Sequence, residues 1–393
     1  MRDIRELETP CYIIRADIYE NNIACFREAF ESRWGENLLF GYSVKTNNYP
    51  YLLKEAMAHG FFAEVVSPDE WDFARRCGCE PEHIIYNGPQ KRSTVISATH
   101  SGAMVNLDSL EEVEMVCRAF SSGESCNLKL GIRVNFDLEA ECPDETTCTG
   151  VPGRFGICLE NGDFARAIEM LKQSGIPLSG LHMHQSSRTR SRKIFAAISQ
   201  KAAEIARTYH LQDISYVDIG GGFFGGNFFP GKPTYQEYAE TICETLKNTF
   251  DPSKTTLVLE PGAAILATAM DYMTSVLSIR DIRGERVVTV DGSLLHINPM
   301  MNPHPTPFTM IDPGEETQQE QIIGGSTCME LDRFWPRDLH HLATHESRFL
   351  FHCCGAYMST HNSNFINAAP NIYLDDNGEY SLLRKKSIDA LFA

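Results

Sequence analysis

Short apolar runs alternate with amphipathic, helix-length segments over the first two thirds of the chain, and each run stops at a glycine or a polar residue, serine and asparagine among them. The runs lie at 38–44, 61–66, 83–86, 103–107, 128–134, 178–184, 216–219 and 256–259. Segments such as 111–120, 163–174 and 193–210 carry the 3.6-residue apolar periodicity of helices. Eight strand–helix units in about 230 residues predict a (β/α)8 barrel, with a doubly wound open sheet as the alternative that counting leaves open. Beyond about residue 267 the pattern changes. Runs at 272–279, 286–290, 321–324, 348–353 and 371–374 read as strands without long helices between them. The fold class is therefore α/β: a barrel over 31–267, then a second, mainly β domain over 268–393. An N-terminal segment, 1–30, carries a strand-like run at 11–14 that pairs back into the β domain.

At 393 residues the chain suits two domains rather than one core. Fifty-two acidic against 35 basic residues give a net charge of −17, which argues against nucleic acid and anionic membranes as partners. No apolar run has the length of a membrane span, and the first residues lack an apolar signal core, so the expectation is a cytoplasmic protein. The 13 cysteines are scattered. The closest pairs, Cys77/Cys79 and Cys353/Cys354, lack zinc or redox spacing, so no metal site is expected.

Barrel enzymes carry their chemistry at the C-terminal ends of the strands. Four unusual features fall there. Lys45 closes the first run, within Tyr42-Ser-Val-Lys-Thr-Asn47, where burial favours the neutral amine that attacks an aldehyde. His182-Met-His184-Gln-Ser-Ser187 closes the sixth, Asp218-Ile-Gly220-Gly221-Gly222 the seventh, and Glu260-Pro-Gly262 the eighth. Each has a bland reading: a solvated lysine, a satisfied polar histidine, a tight turn, a solvated acid. Together they meet the needs of pyridoxal 5'-phosphate. The glycines let backbone N–H groups approach a phosphate, Glu260 faces a pyridine nitrogen, His184 stacks on the ring and Ser187 reaches the phosphate.

With these motifs the chain resembles the fold-type III pyridoxal-phosphate decarboxylases, the group of ornithine, arginine and diaminopimelate decarboxylases. The lysine motif is joined by Glu64-Val-Val-Ser67, Asn87-Gly88, Arg133-Val-Asn135, Arg154-Phe-Gly156 and His184-Gln-Ser-Ser187. In the C-terminal part, Cys328-Met-Glu-Leu-Asp332-Arg, Gly355-Ala-Tyr357 and Phe365-Ile-Asn367 follow in the family's order. The resemblance implies that Lys45 and Cys328 are catalytic. It makes Arg133, His184, Ser187, Gly220, Gly221, Gly222, Glu260, Gly262 and Tyr357 cofactor contacts. It also implies a homodimer with shared active sites, in which Cys328 serves the partner's cofactor.

Departures from the family pattern bear on the substrate, an amino acid. Ala263 stands where an arginine usually follows Glu-Pro-Gly, and Asn298 begins the stretch that aligns with an Arg-Pro motif of diaminopimelate decarboxylases. Without both arginines, the clamp for a second α-carboxylate is missing. Met329 replaces an acid, leaving Glu330 and Asp332 to meet a distal amine, and the proline-rich stretch 298–308, with His304, reads either as a specificity wall or as a plain loop. The expected reaction is decarboxylation of a basic or distally modified diamino acid. The alternatives are a racemase of the same architecture and a non-catalytic regulator that retained the fold.

Overall fold

The computed structural model describes residues 3–120, 128–147, 150–225, 231–300, 306–334, 341–361, 364–389 and 392. It divides into two compact units, Ile23–Ala264 and Met1–Asn22 with Ile265–Ala393. The boundary falls inside one long helix, Ala16–Trp34. The sequence reading did not anticipate this helix, although its buried residues Ala16, Tyr19, Ile23, Phe26, Phe30 and Trp34 recur at three- and four-residue steps.

The strands are numbered from the N-terminal β1 (Cys11–Arg15), and eight of the next nine form the barrel. They are β2 (Leu38–Ser43), β3 (Phe62–Val65), β4 (Ile84–Tyr86), β5 (Met104–Leu107), β6 (Lys129–Asn135), β8 (Gly180–His182), β9 (Tyr216–Asp218) and β10 (Thr256–Leu259). The short β7 (Ile157–Cys158) adds to β6 outside the ring. All neighbours are parallel, β2 pairs with both β3 and β10, and β5 pairs with β6. The sheet is therefore closed, which excludes the open doubly wound alternative. All eight expected runs became barrel strands, shortened by up to four residues. Strands this short hold together because both faces are buried: every residue of β4, β5 and β9 is inaccessible.

The barrel interior is filled rather than hollow. Tyr216 crosses it in the space left by Gly131 and Gly180, where a Cβ would collide with its ring or hydroxyl. Its hydroxyl donates to Asn106 Oδ1 at 2.7 Å. Outside the ring, Phe26, Phe195, Phe223 and Tyr238 pack with centroids 4.5–5.3 Å apart, binding the Ala16–Trp34 and Arg192–Thr208 helices to the loop after β9.

In the other unit the sheet runs β13-β15-β11-β1-β16-β17, with β12 and β14 attached beyond β11. Its strands are β11 (Met270–Ile282), β12 (Glu285–Val290), β13 (Phe308–Ile311), β14 (Gln321–Gly324), β15 (Arg348–Phe351), β16 (Asn371–Asp376) and β17 (Glu379–Arg384). The N-terminal β1 lies antiparallel to β11 and parallel to β16, as the sequence suggested. Leu7, Cys11, Ile13, Met273, Leu350 and Tyr373 form a core beneath it. Two strands were not foreseen. β13 opens at the end of the proline-rich stretch, and β17 is an edge strand with no fully buried residue. Among the described residues no helix is long and apolar enough to cross a membrane, and eleven cysteines are free thiols.

Candidate active site

Lys45 stands two residues beyond β2, at the C-terminal end of the barrel. Its side chain is 36% exposed and forms an ion pair with Glu64 on β3, whose carboxylate is 1% exposed. Ser43 Oγ donates to the same Glu64 oxygen at 2.6 Å. The sequence reading expected burial to strip the lysine of its charge. The structure instead pairs the ammonium with a buried carboxylate, so its proton has an acceptor in contact.

Glu260 emerges immediately after β10 and is 4% exposed. Asn87 Nδ2 lies 2.5 Å from Glu260 Oε1 and 3.1 Å from Glu64 Oε1, so one amide nitrogen serves both acids. Asn106 donates to Asn87 Oδ1 at 2.8 Å and is itself held by Tyr216. A ladder of neutral polar groups thus rises through the barrel core and orients the amide beneath the two carboxylates. In the sequence Glu64 and Asn87 stand out only as parts of family-like segments, and Asn106 and Tyr216 do not stand out at all. Their signal was the polar asparagine within an otherwise apolar strand, Met104–Leu107.

Asp218 and His182 end β9 and β8 beside Glu260. Burial, and then the Glu260 charge, push the Asp218 carboxyl well above the usual range, so it retains its proton. His182 Nε2 is 3.8 Å from Glu260 Oε2, and burial followed by the Arg133 charge keeps the imidazole neutral. His182, Asp218 and Glu260 offer ligand atoms within 4.8 Å of one another. The positive charges of Arg133 and Lys45 bear on the same histidine, which makes the trio a poor cation site.

His184 follows β8. Gly221 N–H donates to its Nδ1 at 3.2 Å, so the remaining proton sits on Nε2. Burial, reinforced by Arg133, lowers its pKa to about 3, although part of the residue remains accessible. Arg133 is 8% exposed, donates to the His184 carbonyl at 3.2 Å and lies 3.6 Å from Asp108. The glycines after β9 are sterically required. A Cβ on Gly220 would strike the His184 ring, one on Gly221 would strike the Glu260 carbonyl, and Gly222, at φ +99°, opens onto free space. Gly262 lies against the buried Thr46 hydroxyl, where a Cβ would also collide. Ser187 Oγ accepts the Arg190 N–H at 2.8 Å.

The remaining expected residues belong to the other unit. Cys328 is exposed on the turn after β14. Asp332 is buried, and its carboxylate accepts Leu294 N–H at 2.7 Å, Thr327 N–H at 3.1 Å and Thr327 Oγ at 2.6 Å. That carboxylate is committed to fastening the turn that carries Cys328. Glu330 projects into solvent and pairs with Arg333 at 3.2 Å, while Met329 is half-buried. Tyr357 adopts φ +66° and accepts a hydrogen bond from His361 at its carbonyl. His304 lies outside the described residues.

The barrel-mouth residues fit pyridoxal phosphate on their own chemistry. A lysine is present for the aldehyde, a buried, amide-bound carboxylate for the ring nitrogen, a neutral imidazole for the ring face, and a Cβ-free backbone for the phosphate. Buried polar atoms still lacking a partner, such as Thr46 Oγ and Arg133 Nε, lie in the same neighbourhood.

Comparison with known proteins agrees. The profile of the family described as "Pyridoxal-dependent decarboxylase, pyridoxal binding domain" matches residues 19–267. The diaminopimelate decarboxylase of Archaeoglobus fulgidus is 28% identical over 76% of this chain and 71% of its own. The L-glutamyl-[BtrI acyl-carrier protein] decarboxylase of Niallia circulans is 27% identical over 97% of this chain and 92% of its own. Among solved structures, diaminopimelate decarboxylase from M. jannaschii in complex with L-lysine superposes with a TM-score of 0.85 at 22% identity, covering 97% of this chain and 90% of that one.

Proposed function

This chain belongs to the pyridoxal-dependent decarboxylases and is a pyridoxal-phosphate-dependent amino-acid carboxy-lyase, and on that premise we propose that its substrate is an amino acid with a basic or covalently modified distal end. The Glu64–Asn87–Glu260 arrangement beside Lys45 carries the cofactor part of the reading, and the uncharged Ala263 and Asn298 carry the substrate part. When bound, the cofactor supplies an electron sink for the pair left behind by departing CO2.

The chain's own groups have separable tasks. Lys45 Nζ is the attachment point for the cofactor, and Glu64 takes up or returns its proton. Glu260 would meet the ring nitrogen, with Asn87 binding its carboxylate and Asp218 remaining neutral beside it. His184 presents an uncharged ring whose orientation is set by Gly221 N–H. A carboxylate in this place, rather than a cation, favours decarboxylation over racemisation. The Cys328 thiol would supply the proton that replaces CO2, and Asp332 holds the turn that carries it. The exposed apolar side chains Leu331, Phe365 and Ile366 support a homodimer in which Cys328 of one subunit serves the other's cofactor. A cytoplasmic location accords with the acidic composition and free thiols.

Ala263 and Asn298 remove two positive charges that a second α-carboxylate would need. The Niallia circulans relative, named for a glutamyl group carried on a protein, supports a modified distal end. The test is CO2 release from the reconstituted enzyme, with products identified by mass. The panel holds L- and D-ornithine, lysine, arginine, meso-diaminopimelate, and amides and thioesters of glutamate. Turnover of a basic or distally blocked substrate with weak diaminopimelate activity is expected. Strong diaminopimelate turnover overturns the substrate reading. A protein that cannot be reconstituted to a visible absorbance band supports a regulator instead, and a reconstituted protein that leaves every substrate intact overturns the substrate reading.

A further inference from the structure

Two cations share one aromatic ring beside the glycine segment. Arg190 Cζ lies 5.3 Å from the centroid of Phe224, and Lys232 Nζ lies 4.7 Å from the same centroid. Phe224 is the second residue after Gly222. Among the described residues neither cation forms an ion pair with an acid, whereas the neighbouring Arg192 pairs with Glu237 and Glu240, and Lys193 with Glu145. The two charges lie within about one Debye length (~10 Å) of each other, in a chain whose net charge is −17. Two like charges gathered on one ring beside a Cβ-free glycine segment favour an anion between them and that backbone.

The backbone holds Arg190 beside the glycine segment. Arg190 adopts φ +52°, the left-handed region, and is fastened on both sides. Its N–H donates to Ser187 Oγ at 2.8 Å, and its carbonyl accepts the Tyr238 hydroxyl at 2.6 Å. The same Tyr238 oxygen accepts Phe224 N–H at 3.4 Å. One tyrosine therefore ties the loop after β8 to the glycine segment after β9, and Arg190 is held at the junction. The third neighbouring segment brings no charge, since Gly262 is followed by Ala263 and Ala264.

We propose that Arg190 and Lys232 supply the positive charge that holds the phosphate of pyridoxal phosphate, completing a cradle whose backbone donors come from Gly220–Gly222. The proposal rests on the cofactor assignment and concerns the cofactor's affinity, so it can fail while the decarboxylase reading stands. An arginine fork and a lysine point charge on one dianion give charge-assisted bonds stronger than backbone N–H groups provide alone.

The test titrates the full-length protein, freed of cofactor, with pyridoxal 5'-phosphate and in parallel with pyridoxal, following quenching of intrinsic fluorescence. Arg190→Ala and Lys232→Ala should each weaken pyridoxal phosphate binding about tenfold or more and leave pyridoxal binding within about twofold. Arg190→Lys should recover part of the loss. Arg188→Ala, on an exposed neighbour, should change neither affinity. Equal losses for both ligands would mean that the residues only support the loops, and unchanged affinities would mean that they do not meet the phosphate. Either result overturns the proposal. So does unchanged pyridoxal phosphate affinity accompanied by lost binding of inorganic phosphate to the holoenzyme, which would assign the anion to the substrate.

Discussion

Asn87 Nδ2 lies 2.5 Å from Oε1 of Glu260, and that contact decides how much negative charge the barrel mouth can hold. The same nitrogen serves Glu64 at 3.1 Å, so the amide separates two buried acids while binding both. Asn87→Asp would replace the shared donor with a third carboxylate of nearly the same shape. One of the three acids must then take up a proton, and Glu260 loses the amide donor that binds it. We expect kcat to fall on the order of 100-fold, about 2.7 kcal/mol in the barrier, with the fold retained. A variant within twofold of the parent in steady-state assays would show that Glu260 does not depend on this amide.

Glu70 sits at the first turn of the helix Pro68–Arg76, where Oε2 accepts Val66 N–H at 2.8 Å. Burial, and then the nearby Glu64, raise its pKa from 4.5 to about 7. The native chain therefore keeps a proton that the unfolded chain releases. The associated stability is complete below pH 4.5 and is lost as the pH rises through 7. Glu70→Gln retains an acceptor for Val66 and cannot ionise. It should stabilise the cofactor-free protein on the order of 1–3 kcal/mol at about pH 8 and do little at about pH 4. Urea unfolding at the two pH values reads the difference, and equal effects at both would refute the assignment.

The barrel was legible because its strands are buried on both sides, which writes them as short apolar runs with sharp ends. The same economy exposed Lys45, His184, Gly220 and Glu260, since chemistry-bearing residues interrupt the apolar text where each strand stops. The residues that make those groups work were harder to read. Asn106 and Tyr216 look like ordinary strand residues until the barrel closes and brings them beneath Asn87. The role of Asp332 was obscured for a different reason. An acid four residues after a cysteine suits a ligand contact as well as a loop clamp, and only the hydrogen bonds to Leu294 and Thr327 separate the two. β17 was missed because an edge strand lacks the burial that imposes an apolar pattern.

Lys91 and Glu112 form an ion pair at 3.0 Å with the lysine wholly inaccessible. Burial lowers the Lys91 pKa and raises that of Glu112, while the charge of each opposes the shift of the other. Removing one partner leaves a buried charge or forces it to neutralise. Lys91→Met alone should cost about 3–5 kcal/mol, whereas Lys91→Met with Glu112→Gln should recover most of that loss, because Gln can still accept Asp108 N–H. Thermal unfolding of the two single variants and the double variant tests this. A double variant no more stable than Lys91→Met would place the loss in packing rather than in the stranded charge.

Asp332 acts through the turn it fastens, and this predicts a particular pattern of non-additivity with Cys328. Asp332→Ala releases Leu294 N–H, Thr327 N–H and the Thr327 hydroxyl at once, while Asp332→Asn keeps one carbonyl acceptor. The alanine variant should lose about 10–100-fold in kcat with a smaller change in KM, and the asparagine variant should fall between it and the parent. Cys328→Ser should lose at least as much, because a hydroxyl is a poorer proton donor than a thiol. If Asp332 matters by presenting the thiol, combining Asp332→Ala with Cys328→Ser should cost little beyond Cys328→Ser alone. Losses that multiply would separate the two residues and give Asp332 a direct part in holding substrate.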